Sequence, residues 1–386
     1  MNEIPSPVQV ILRAVCAVAA AALLPGPARP QEATPPEAPR APRPGDPVYT
    51  EEAVKGLLFG GVDLGVEIHG FVNLEYFAFR RDPAHPDNSF DIHNVYLSTK
   101  AHPSPAVTLF AELEYEHGSA VKLDRAFLDF EIGRELTLRA GRFSAPLSYE
   151  RVHYAAPVRL MTSRPFSAEV AFHEWVDTGV EAFGRIGWVG YSLAVLNGPR
   201  GLTAAGIPAV DVTSSHGSKT VLARLNAYAA PFLEAGVAGS AGAYDSRGRR
   251  WFYLAEVDAR IRAGRLDVWA EADYRTGDDE PCSAATQVGC EPTFVGERAR
   301  KLGAYVVAGY AAVQGAPLAH YLKPVLRFDE IRDLAERSGK RRATAGLDWS
   351  PQPHVVLKSE LQWTFPFGQP GRPRIVGFMA SAVADF

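Results

Sequence analysis

The chain has 386 residues, 47% of them hydrophobic, with 40 basic against 44 acidic side chains, a formal net charge of -4 and a pI ≈ 6.2. That balance gives no reason to propose nucleic acid as a partner, since no positive excess is available to meet phosphate. The mean hydropathy of -0.09 suits a soluble protein and a transmembrane barrel equally, because a barrel alternates apolar outside with polar inside.

At the N-terminus Arg13 precedes an apolar run from Ala14 to Leu24, and small residues follow at Gly26, Pro27 and Ala28. The run has the length of an export signal, so residues 1–28 are read as a signal peptide. A retained apolar helix is the alternative, and Pro25, Pro27 and Pro30 would end it at once. Residues 29–62 comprise a Pro-rich periplasmic spacer and a short joining stretch; the spacer favours extended polyproline and buries almost nothing. No stretch after Leu24 is long and apolar enough for a transmembrane helix.

From residue 63 to 386 the period is two. Val66, Ile68, Val72 and Leu74 alternate with Glu67, His69, Asn73 and Glu75; Leu109, Ala111 and Leu113 alternate with Glu112 and Glu114. The same pattern holds for Ala255, Val257 and Ala259 against Glu256, Asp258 and Arg260, and for Leu357, Leu361 and Trp363 against Lys358, Glu360 and Gln362. Alternation alone fits a membrane barrel or a half-buried soluble sheet. Connection lengths choose between them. About 16 strands fit between Val66 and Phe386, with tight turns such as Pro103–Pro105 and Gly133–Arg134 alternating with longer connections at Arg81–Ser89, Ser144–Glu174, Gly198–Ser218, Thr276–Lys301, Arg332–Arg341 and Pro366–Pro373. One systematically long end predicts an all-β fold, a transmembrane antiparallel β-barrel of the bacterial outer membrane. Trp175, Trp188, Trp251, Trp349 and Trp363 fall near strand ends, where interfacial rings belong, while Trp269 points to the polar side.

The third outer connection, Ser144–Glu174, is long for a loop yet apolar and aromatic enough to pack, which predicts a segment folded inward to narrow the pore. The candidate lining residues are Arg139, Arg142, Arg151, Arg159 and Arg164 facing Glu112, Glu114, Asp129 and Glu131, because rings of charge select ions and guanidinium forks suit carboxylate or phosphate solutes. Pairing among these charges, pinning the loop to the wall, is the other reading. His153 and His173 lack a partner motif for metal, no cofactor is expected, and no Gly-x-Ser-x-Gly elbow supports an enzyme. Cys282 and Cys290 share one outer loop and are expected to bridge in an oxidising compartment, two free thiols being the alternative.

The order of Asp-Arg-Ala-Phe-Leu-Asp-Phe at 124–130, Leu-Arg-Ala-Gly-Arg-Phe-Ser-Ala-Pro-Leu at 138–147, Arg164-Pro165 and Trp-Val-Asp-Thr-Gly-Val-Glu at 175–181 resembles the phosphate-selective porin O and P family, and the closing Ala-Asp-Phe resembles a barrel-assembly signal. The resemblance implies a sixteen-stranded barrel, usually a homotrimer, whose third outer loop narrows a pore for small hydrophilic solutes or ions. The lysine-rich lining of the phosphate-selecting members is not matched, since no lysine lies between Arg139 and Trp175. A barrel acting in binding or adhesion through its outer loops, without an open pore, is the rival reading; a soluble exported β protein is a third.

Overall fold

A computed structural model describes residues 58–59, 62–63, 65–80, 88–117, 120–148, 155–171, 175–198, 219–243, 251–278, 298–317, 319–368, 371 and 373–386. The export signal, the Pro-rich spacer, Arg151, His153, His173, Cys282 and Cys290 lie outside them.

Sixteen long strands run in chain order: β1 Glu67–Arg80, β2 Ser89–Ser104, β3 Val107–Glu116, β4 Ala120–Glu131, β5 Thr137–Ser144, β6 Val176–Ile186, β7 Val189–Leu196, β8 Thr220–Ala230, β9 Leu233–Ala243, β10 Trp251–Ala263, β11 Leu266–Asp278, β12 Arg298–Tyr310, β13 Ala319–Asp333, β14 Ser338–Gln352, β15 Val355–Phe367 and β16 Ile375–Asp385. Each pairs antiparallel with its neighbours, β16 pairs with β1, and the sheet closes into a barrel. Closure leaves no sheet edge, which is how strands can cross a bilayer with every backbone group paired. A four-residue strand, Val313–Ala316, pairs back onto β13, and a two-residue hairpin, Leu58–Phe59 with Val62–Asp63, precedes β1.

The two faces of the sheet are inverted relative to a soluble protein. Leu97, Leu113, Leu193, Leu225, Val237, Leu326 and Leu361 are exposed on the outside, while Glu112, Asp258, Glu271, Asp329 and Glu360 are buried inside. Water cannot be the solvent for that outer surface; an apolar band on a closed barrel is a bilayer-facing surface. Trp251, Tyr253, Trp363 and Phe365 are exposed at one end of the barrel and Phe130, Trp188, Trp349 and Phe386 at the other, forming two interfacial girdles. Trp175 is a correction: it is fully buried, on the inward parity it shares with Asp177, Glu181 and Phe183, so it belongs to the interior and not to a girdle.

Short turns gather at one end, as at 105–106, 187–188, 231–232 and 264–265, and the strand ends joined through 145–175, 197–219 and 279–297 lie at the other. By that asymmetry the short end is periplasmic. The connection expected at Arg332–Arg341 is shorter than its composition suggests, because β13 and β14 stay paired up to Asp333 and Ser338. On the outward parity of that extension Glu330 meets Arg332 and, at 3.4 Å, Arg341.

Candidate functional site

Between β5 and β6 the chain turns into the lumen. At the neck the Ala145 N–H donates to the Trp175 carbonyl at 2.8 Å, so the two ends of the connection leave the wall together. Pro157 lies in a turn closed by Val158 N–H and Arg159 N–H on the Ala155 carbonyl at 3.0 and 3.1 Å. Arg164-Pro165 then leads into one helical turn, α1 Ser167–Val170, which follows Phe166 at its N-cap, and the Ala168 N–H donates to the Pro165 carbonyl at 3.2 Å.

This segment is held against much of the wall. Ala145, Leu147, Val170 and Trp175 pack with Leu222, Phe252 and Leu254 of β8 and β10. Leu160 and Met161 pack with Trp269, Tyr305, Val307 and Val325 of β11–β13, and Ala156 packs with Phe71, Tyr96 and Val383 of β1, β2 and β16. Gly303 of β12 makes the approach of α1 possible, since a Cβ there would stand 2.7 Å from the Ser167 Cα.

Polar anchors fix the register of that packing. The Glu360 carboxylate accepts the N–H groups of Thr162 and Ser163, both at 3.1 Å, and Gln362 Nε2 at 2.6 Å. Arg327 donates to the Ser163 carbonyl and hydroxyl, each at 2.6 Å, and Lys358 Nζ donates to the carbonyls of Ala156, at 2.7 Å, and Arg159. Asp329 accepts from Arg327, from Arg342 and from the Phe166 N–H, while the Phe166 ring lies 4.2 Å from the Arg342 guanidinium carbon and 4.3 Å from Lys340 Nζ. Buried charge is tolerated here because each carboxylate meets fixed donors, and hydrogen bonds to charged groups contribute about 1.5–3 kcal/mol apiece.

The candidate lining residues separate into two groups. Glu112 and Arg125 form a buried pair at 2.5 Å, and Arg139 makes a two-pronged contact with Asp129 at 2.8 and 2.9 Å and approaches Glu181 at 3.6 Å, beneath the rings of Phe127 and Phe183. Glu114 is buried and bound by Lys122 at 2.9 Å. Glu131 ends β4 on the inward parity at the periplasmic end. Arg142 falls on the outward parity with Leu138 and Ala140 and donates from Nε to the Asp124 carbonyl at 2.7 Å. Arg159 and Arg164 are half-buried on the inward segment, and the Arg164 carbonyl accepts from Arg342 at 2.5 Å. The wall charges therefore meet partners on neighbouring strands, while two guanidiniums ride on the loop itself.

The anchors Glu360, Asp329, Arg327, Lys358 and Arg342 were not among the sequence candidates. Their signal was in the pattern: Lys358, Glu360 and Gln362 recur at period two on a strand whose other face is apolar, which puts them in the lumen.

No family model and no curated protein sequence matches the chain. Among solved structures it is similar to an anion-selective porin from Comamonas acidovorans, with a TM-score of 0.61, 10% identity, 83% of this chain and 99% of that one covered. It is also similar to OmpF of Salmonella typhi in complex with daunomycin (TM-score 0.59, 11% identity, 83% and 97% covered) and to the outer membrane channel DcaP of Acinetobacter baumannii (TM-score 0.58, 14% identity, 83% and 97% covered). At those identities the likeness is one of fold. Closed sheet, apolar band and fold likeness together define a bacterial outer-membrane β-barrel with the porin architecture.

Proposed function

We propose that the chain is a passive diffusion channel for small hydrophilic solutes or ions, narrowed by residues 155–171. The observation that carries this is the Glu360 carboxylate, 3.1 Å from two successive loop N–H groups inside the barrel, which holds the segment across the lumen. A water-filled passage past fixed charge lowers the barrier that hydrocarbon sets, and the sign of charge at its narrowest point sets which ions pass. Arg159 and Arg164 supply that charge, which favours anions, phosphate among them; the porin from Comamonas acidovorans is anion-selective. The motif order of the phosphate-selective porin family supports the same direction, and the missing lysines weigh against its phosphate preference. A homotrimer is part of the proposal; a barrel of similar fold, OmpT of Vibrio cholerae, is described in a trimer form.

A second reading is favoured by one observation: the loop touches three sectors of the wall and many inward charges are nearly inaccessible, Glu112, Asp258, Glu271 and Asp329 being 0% exposed. On that reading the barrel is closed and works through its outer loops. Ion conductance across a planar bilayer separates the two: stepwise openings support the channel, and a silent membrane containing folded protein supports the closed barrel. A salt gradient then reads selectivity, and Arg159→Ala with Arg164→Ala should move the zero-current potential toward cations.

A further inference from the structure

At the outer end of the lumen, away from the loop's anchors, three side chains with metal-ligating chemistry converge. Asp91 and His93 lie two apart on β2, and His117 is the first residue after β3. The β1–β2 ladder pairs Leu74 with Ile92 and Asn73 with Asn94, so His93 is the extra residue of a bulge. A bulge re-aims a side chain, and here it turns His93 toward Asp91 and Glu75 on the inward face. The His117 N–H donates to the His93 carbonyl at 3.1 Å, and His117 holds φ at 48°, a left-handed conformation uncommon for a residue other than glycine.

We propose that Asp91, His93 and His117, with Glu75 behind them, form a binding site for a divalent transition-metal ion of the zinc type. The donor atoms of the three residues lie within 4.8 Å of one another. His117 Nδ1 stands 2.5 Å and His93 Nδ1 3.8 Å from the same Asp91 oxygen, and His93 Nδ1 is 3.6 Å from Glu75 Oε2. Tetrahedral zinc at bonds of about 2.0–2.1 Å sets its donors about 3.3 Å apart, so side-chain adjustments of roughly 1.5 Å or less complete the set. The hydrogen bond between His117 and Asp91 occupies the place of the ion: the metal takes the Nδ1 lone pair of a neutral imidazole whose proton sits on Nε2, and from an imidazolium the Nδ1 proton leaves to water. Two imidazoles with carboxylates suit zinc, copper or nickel better than magnesium or calcium, which take oxygen alone. Asn73 Nδ2 donates to Glu75 Oε1 at 2.8 Å and so fixes which Glu75 oxygen is offered, the orienting contact that metal sites use. Access is open, since the side chains of Asp91, His93 and His117 are 22%, 25% and 53% exposed.

The test is calorimetric titration of zinc chloride into the full, untagged, detergent-folded chain, with folding of every variant checked by heat-modifiable migration. One zinc per chain is expected. Asp91→Asn, which keeps the shape, should weaken it more than the about 10- to 100-fold typical of losing an outer-shell partner. His93→Gln and His117→Gln should do the same, and His102→Gln, on the periplasmic end of β2, should leave affinity unchanged. Absence of stoichiometric binding, or binding indifferent to Asp91→Asn, overturns the proposal. If the histidine variants fail to fold, zinc protection of His93 and His117 from alkylation in the unaltered protein, read by mass spectrometry, replaces them: protection supports the site, and equal labelling with and without zinc overturns it.

Discussion

Arg139 shows how a charge predicted to face solute can instead hold a wall together. Its side chain is 1% exposed, bound to Asp129 and near Glu181, with aromatic rings over its guanidinium. Removing one member of such a group leaves the others charged and desolvated, so Arg139→Ala should destabilise the barrel by about 3–5 kcal/mol. The midpoint of urea unfolding, followed by heat-modifiable migration, checks this; an unshifted midpoint would mean the pair is solvated. Glu112 behaves in the same way: it is fully buried against Arg125, so Glu112→Arg should fail to fold or fold weakly. On the outer face depth sets the cost. Val257 lies mid-strand in β10, so Val257→Arg should cost about 2–4 kcal/mol, and Leu109→Arg, nearer the periplasmic girdle, should cost less. The parity of these residues was legible from alternation. Their partners were not, because a bulge between Glu112 and Leu113 resets the β3–β4 register and brings Glu112 to Arg125.

At the scale of elements, the inward loop depends on a close approach and on charged anchors. Gly303→Ala would set a methyl 2.7 Å from the Ser167 Cα, and the backbone on both sides must shift to relieve it. Glu360→Ala removes two contacts to loop N–H groups. Either change should leave the barrel folded and raise protease cleavage within 155–171, measured by limited digestion of detergent-folded protein; resistance equal to the unaltered chain would mean that apolar packing alone holds the loop. Composition revealed that the loop packs, since Leu160, Met161 and Phe166 are too apolar for a solvated segment. It did not reveal where, because the anchors lie far along the chain on β13–β15 and no local spacing links them. The opposite misreading occurred at Arg332–Arg341, where a charged stretch resembling a loop continues as paired strand.

At the scale of the molecule, closure and the inverted distribution of polarity set location, and the loop held inside the lumen sets what the barrel can do. Phe386 exchanges backbone hydrogen bonds with Gly70 at 3.0 and 3.1 Å, which extends the seam between β16 and β1 by one residue pair. Strand number and membrane placement were readable from period and connection lengths, because both are written locally; the state of the lumen was not, since it depends on how one loop meets three sectors of wall. The most direct measurement is single-channel conductance of the unaltered protein beside a variant lacking residues 155–166, both shown to be folded. The account predicts discrete openings from the unaltered chain and larger ones from the variant. Equal conductance in the two, or no openings from the unaltered chain, would contradict it.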